Sequence, residues 1–201
     1  MLIDLLSQIA RETAKMSWPG RMHSILQAST KGAVVDYFAK NFLPRLSAIW
    51  TNPTQMSKMG YAVWHHQCVS DLGTFLQQGD HIKIVNKEQI STNYKPEAVA
   101  CKLHNTFMYQ LMKYQACRYL WNDIHLILDN VAFRRLHGLS GHYSSLKPIA
   151  SLLQRNPYKI DYKDYLNIQT QLWQFVDQLN QRSGGQYQIS SRIELNSVLW
   201  A

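Results

Sequence analysis

Gly60-Tyr61-Ala62-Val63-Trp64-His65-His66-Gln67-Cys68-Val69-Ser70-Asp71-Leu72-Gly73-Thr74-Phe75-Leu76-Gln77-Gln78-Gly79-Asp80-His81-Ile82-Lys83-Ile84-Val85 is the stretch on which the fold class turns. Tyr61 to Trp64 is aromatic and β-branched, the composition that suits a half-buried pleated surface, and reads as a strand seed. Residues 69–77 read as a short helix. Gly79-Asp80 is a turn signal. His81 to Val85 alternates with period two, the pattern of a strand with one buried face. The centre of the chain therefore reads as strand, helix, turn, strand.

Upstream, residues 2–16 place Leu2, Leu5, Leu6 and Ile9 on one helical face, and Trp18-Pro19-Gly20 ends that pattern. Residues 33–43 repeat it with Val34, Val35, Phe38 and Phe42 before Pro44, which ends or bends a helix. Leu46 to Trp50 reads as a short strand. Downstream, residues 96–116 predict a helix, with Pro96 suited to its first turn and Glu97 to the positive end of its dipole. Residues 117–121 and 124–134 read as two strands joined at Asn122-Asp123, with a helix as the alternative for the second. His137 to Tyr143 reads as a loop. Residues 145–154 and 161–181 read as helices. Ser183-Gly184-Gly185 is a break, and Tyr187 to Leu199 reads as a strand or hairpin.

The chain has 201 residues, 46% of them hydrophobic, enough for one domain with its own core. No apolar run approaches the length of a membrane span, and the first ten residues lack the basic start of a secretory signal. Three cysteines, Cys68, Cys101 and Cys117, have no paired spacing and fit a reducing compartment as buried small hydrophobes. The net charge is +8, which favours anionic partners. The basic residues are scattered, and Arg134-Arg135 is the tight pair.

Phosphate-binding glycine loops and a nucleophile elbow are absent. His65-His66-Gln67-Cys68 holds metal-ligand types, but on a strand the two imidazoles face opposite ways, and no second pair stands at zinc spacing; no metal site is expected. His23 sits after the Trp-Pro-Gly break, where an imidazole serves as a general base or as an ordinary surface residue. Six residues lie between Arg135 and His142. That spacing resembles the Arg-x(4–6)-His pattern of the higher-eukaryote-and-prokaryote nucleotide-binding ribonucleases. The resemblance implies RNA as substrate, with Arg steadying phosphate charge and His moving a proton, in a helical bundle.

A second resemblance spans residues 15–135. Phe38-Ala39-x-Asn41-x-Leu43-Pro44, then Gly60-Tyr61-Ala62-Val63-Trp64, Val69-Ser70 and Gly79-Asp80, resemble the toxin-activating lysine acyltransferases of Gram-negative bacteria. Arg118-x-x-x-Asn122-Asp123 and Val131-x-Phe133 look like that family's later hairpin. The resemblance implies an α+β fold, a GNAT-like central mixed sheet flanked by helices. It implies a cytoplasmic and often dimeric enzyme that moves a fatty acyl group from acyl carrier protein to a lysine of a protein acceptor. No cofactor is implied beyond the acyl donor. His23 would be the base, with Asn86 or Asp80 orienting it. A gapless alignment puts Thr30 at the histidine position, and Asn86 stands where the family has aspartate.

These readings predict a GNAT-like body over residues 1–140 and a helical C-terminal extension over 141–201, together one compact domain. Acyl transfer to a protein lysine is the leading expectation. A basic nucleic-acid-binding protein or ribonuclease using Arg135 and His142 is the second. A non-enzymatic interaction protein of a mobile element or secretion system is the third.

Overall fold

Tyr61 opens a helix. The computed structural model describes residues 26, 30–42, 44–45, 60–82, 94–111, 120, 122–184 and 188–199. Helix α1, Thr30–Tyr37, continues as a π-helical turn, Phe38–Phe42. Helix α2 is Tyr61–Gln78 and α3 is Pro96–Leu111. Helix α4, Asn130–Leu139, precedes a 3-10 turn, Ser144–Ile149, which passes into α5, Ala150–Leu153. A second 3-10 turn, Pro157–Lys159, leads to the long α6, Tyr162–Arg182. A third, Arg192–Glu194, leads to α7, Leu195–Leu199.

The expected α+β, GNAT-like mixed sheet is not present. Among the described residues the β pairing is one isolated antiparallel bridge, Leu26 to Ile82. The strand seed Tyr61 to Trp64 is the first turn of α2. Tyr61, Trp64, His65, Cys68, Val69, Leu72, Gly73 and Leu76 are its buried residues. Their steps of three and four define one helical face. Four aromatic and β-branched residues are too short a window to separate the two periods. The face also carries His65 and Cys68, so hydropathy alone hides it. At Gly73 a side chain would meet Glu97, with a Cβ 3.3 Å from the Glu97 amide nitrogen. The bare Cα is what lets α2 cross the start of α3 closely.

Helix α3 starts at Pro96 with Glu97 in its first turn, as the sequence predicts. It is buried on nearly every side, from Val99 to Met108 and again at Leu111, which marks it as the central helix. Phe107 stacks on Phe38 at 4.4 Å between ring centroids and meets the edge of Phe42 at 5.2 Å. Helix α6 carries its predicted stripe, burying Tyr165, Ile168, Leu172, Phe175 and Val176. Asp161 caps it by accepting from the Asp164 amide at 2.8 Å. The buried hydrophobic cluster runs from Leu26 to Leu199 and takes in residues of both segments, 1–140 and 141–201.

Residues 124–129 belong to no helix and no sheet, and 124–128 are buried. Their backbone is satisfied by a side chain. The Leu126 N–H donates to Gln169 Oε1 at 3.0 Å, and Gln169 Nε2 donates to the Leu126 carbonyl at 2.9 Å. One amide on α6 thus replaces a neighbouring strand. The expected strand over 124–134 is therefore not formed. Asp129 then caps α4, its carboxylate accepting from Val131 and Ala132, each at 2.9 Å. The strand or hairpin expected over 187–199 is instead a 3-10 turn and α7. The expected elements at 2–16 and 46–50 lie outside the described residues, as does most of 117–121. Among the described residues, no helix is long and apolar enough to cross a membrane.

Candidate functional site

Two groups of polar side chains stand out, one inside the helices and one on the surface. The inner group is held by α2, α3, α6 and the segment 124–129. The rings of His65 and His104 lie 4.7 Å apart, and those of His65 and His125 lie 4.4 Å apart. All three residues are buried. Asn105 orders the group. Its Nδ2 donates to Tyr165 Oη at 2.7 Å and to the Leu126 carbonyl at 3.4 Å. Its Oδ1 is left to accept from His65 Nε2 at 2.9 Å. The proton of His65 therefore sits on Nε2, and Nδ1 accepts from the Tyr162 hydroxyl at 2.8 Å. By the same logic Tyr165 donates to His125 Nδ1 at 2.8 Å. His104 makes no hydrogen bond through either ring nitrogen.

Burial fixes the charge of this group. The His65 pKa is pushed down to about 3 by burial, with the Asn105 bond opposing and Arg192 and His66 adding to the effect. Burial also pushes His104 and His125 well below the usual imidazole range. It raises the phenols of Tyr61, Tyr162 and Tyr165. At neutral pH the three imidazoles are therefore held in their neutral form. Tyr162 and Tyr165 line a pocket with Cys101, Lys102 and Asp161, whose cavity is about 10 Å³. That is room for about one water molecule. At its edge Lys102 donates to Tyr158 Oη at 2.8 Å and lies 3.7 Å from the Asp129 carboxylate. Among the described residues, no three His, Cys, Asp or Glu side chains converge to hold a metal. Cys68 and Cys101 are buried free thiols, and burial raises both pKa values, that of Cys68 to about 12. Cys117 lies outside the described residues.

The outer group runs from α4 to the turn before α6. Residues 130–160 contain Arg134, Arg135, Lys147, Arg155 and Lys159 and no Asp or Glu. All five basic residues are exposed. Arg155 pairs with Asp164 at 3.2 Å. Arg134, Arg135 and Lys147 form no ion pair among the described residues. Arg135 projects from the second half of α4, whose opposite side buries Ala132, Phe133 and Leu136. His142 is exposed in the turn that follows. That turn is held firmly. The His142 N–H donates to the Leu139 carbonyl at 2.9 Å, and Arg182 at the end of α6 donates to the His142 carbonyl at 2.9 Å. The Arg182 guanidinium lies over the Tyr143 ring at 4.4 Å, and Tyr143 packs edge-on against Phe175 at 4.9 Å. No hydrogen bond joins the Arg135 and His142 side chains.

The residues expected for acyl transfer do not come together among the described residues. His23 and Asn86 lie outside them. Asp80 ends α2: its φ of 48° is left-handed, and the next amide, His81 N–H, reaches back to the Leu76 carbonyl at 3.0 Å. Thr30 is buried at the start of α1 and hydrogen-bonds His81 rather than standing in for a base. His65 and His66 part company on the helix, one buried and one exposed. Sequence reasoning did not single out His104 and His125, because each stands far along the chain from the other histidines it meets. The signal for the outer group was present as the absence of acidic residues from 130–160. No family model matches this chain, and no curated protein or solved structure is found to be similar to it.

Proposed function

We propose that the chain binds nucleic acid through the face formed by α4, the turn at 140–143 and α5, and that it cleaves RNA there with Arg135 and His142. One observation carries the reading. A stretch without acidic residues presents both members of the Arg-x(4–6)-His pattern to solvent, on a helix and a turn pinned from behind by Arg182. The helical fold is also the setting that this ribonuclease resemblance implies. The acyl-transfer reading drew on a sheet that is absent, and it keeps no geometric support among the described residues.

The chemistry follows from the residue types. His142 takes the proton of a ribose 2′-hydroxyl. The 2′-oxygen attacks the adjacent phosphorus, and the bond from phosphorus to the 5′-oxygen breaks. The 5′-oxygen leaves with a proton from solvent, giving a 2′,3′-cyclic phosphate and a 5′-hydroxyl. Arg135 lies against the non-bridging oxygens, where negative charge grows in the transition state. Arg134 and Lys147 hold flanking phosphates.

The test is incubation of the purified chain with end-labelled single-stranded RNA, followed by resolution of the products. Cleavage to cyclic-phosphate ends is expected, and His142→Ala is expected to slow it by about 10²–10⁴ without weakening binding. Binding without cleavage would remove the ribonuclease part. Absence of binding at low salt would remove the whole reading.

A further inference from the structure

His65, His104 and His125 form a cluster in which the Asn105 Oδ1 on His65 is the hydrogen bond that favours a positive charge, and burial works against it. From α2 it is faced by Tyr61 and Trp64, with exposed His66 beside it, and Cys68 lies on the same buried face. From α3 come Asn105 and, on the far side of the phenols, Cys101. Phe42 closes one side of His104. From α6 come Tyr162 and Tyr165. From the third 3-10 turn comes Arg192, which donates to the Gln169 and Asp123 carbonyls at 3.1 and 2.8 Å. No carboxylate hydrogen-bonds any of the three rings among the described residues; Arg192 works against a charge on His65 and His125, and the Asp123 carboxylate faces Arg192 and Tyr61.

At His125 the hydrogen bonds themselves resist a further proton, whereas at His65 the Tyr162 hydroxyl can turn to the Ala62 carbonyl at 3.3 Å. Tyr165 accepts from Asn105 and donates to His125 Nδ1. A proton on that nitrogen sets donor against donor. The Tyr165 hydroxyl has no other acceptor nearby, because its remaining neighbour, His65 Nε2 at 3.4 Å, is itself a donor. His104 has no partner for a charge at all.

We propose that this cluster is an acid-operated latch: protons taken up by His65, His104 and His125 release the Tyr162 to Val176 stretch of α6 from α2 and α3. Folded imidazoles that stay neutral leave the open state holding the extra protons. The latch is therefore fully closed above the ordinary imidazole value near 6.5 and weakens as pH falls below it. Each imidazole then changes the closed-to-open ratio by about tenfold per pH unit.

The experiment is urea unfolding of the full chain from pH 7.5 to 5.0, with the proton uptake read from the slope of the logarithm of the unfolding constant against pH. Hydrogen exchange at pH 5.5 locates the opening. Wild type is expected to take up between two and three protons near pH 5.5, with exchange protection lost in residues 162–176. His104→Phe replaces a ring that makes no hydrogen bond, and it is expected to lower the uptake by about one proton. His137→Gln, on the surface, is expected to leave it unchanged. A wild-type uptake below one proton overturns the latch, and so does an unchanged slope in His104→Phe. Protection lost elsewhere while 162–176 stays closed overturns it as well. If His104→Phe fails to fold, the wild-type slope and exchange map decide alone.

Discussion

The same residue type serves opposite ends in two regions of this chain. Among α2, α3 and α6, imidazoles are buried, neutral and bonded into a chain whose polarity Asn105 sets. In the turn after α4, His142 faces solvent, and the exposed Arg134, Arg135 and Lys147 of the same stretch form no ion pair among the described residues. The first arrangement orders the packing and offers no charged group to a substrate. The second contributes little to packing and offers charge freely. A histidine's meaning in this molecule is set by which backbone groups and phenols surround it, and the two regions fail in different ways when altered.

The largest expected effect lies in the core. Asn105→Ala removes the acceptor of His65 Nε2 and the donor to Tyr165, and it should cost on the order of 3 kcal/mol in chemical denaturation. Gln169→Leu strips the partner of the Leu126 N–H and the nearer of two donors to its carbonyl, and should cost about 2 kcal/mol. Asp129→Ala removes the α4 cap and should cost about 1 kcal/mol. On the outer face, Arg135→Ala should change stability by less than about 0.5 kcal/mol. A large stability loss at Arg135, or none at Asn105, would erase the contrast between the regions.

How much of this was legible in the sequence depended on where the partner of each residue lay. Helices α3 and α6 were readable because their signals are local: Pro96 and Glu97 at one start, and a long apolar stripe in the other. Tyr61 to Trp64 misled because the residues that extend its face, His65 and Cys68, are not apolar. The strand expected over 124–134 is not formed: 124–129 pair with no strand, the Leu126 backbone is bonded by Gln169 more than forty positions away, and no strand pattern announces a side-chain amide. Arg135 and His142 were visible as a spacing. The grip of Arg182 on their turn was not, since it comes from the far end of α6. His104 and His125 gain their meaning only from rings brought in by other helices.

Asp80 shows the same limit at a smaller scale. Gly79-Asp80 was readable as a turn, yet the left-handed residue is the aspartate. Gly79 is bare for another reason: a Cβ there would run into the His81 ring. Which residue of a Gly-Asp pair needs its freedom depends on what packs over the turn.

The central claim is that the α4–α5 face, and not the histidine core, meets a polyanion. Its most direct test is the salt dependence of single-stranded RNA binding by wild type and by the combined Arg134→Ala, Arg135→Ala and Lys147→Ala variant. Each phosphate contact on a single strand contributes a slope of about 0.7 in the logarithm of the binding constant against that of salt. The account predicts steep salt dependence for wild type and a slope smaller by about 2 in the variant, with the fold intact. Equal slopes, or no binding by wild type at low salt, would contradict it.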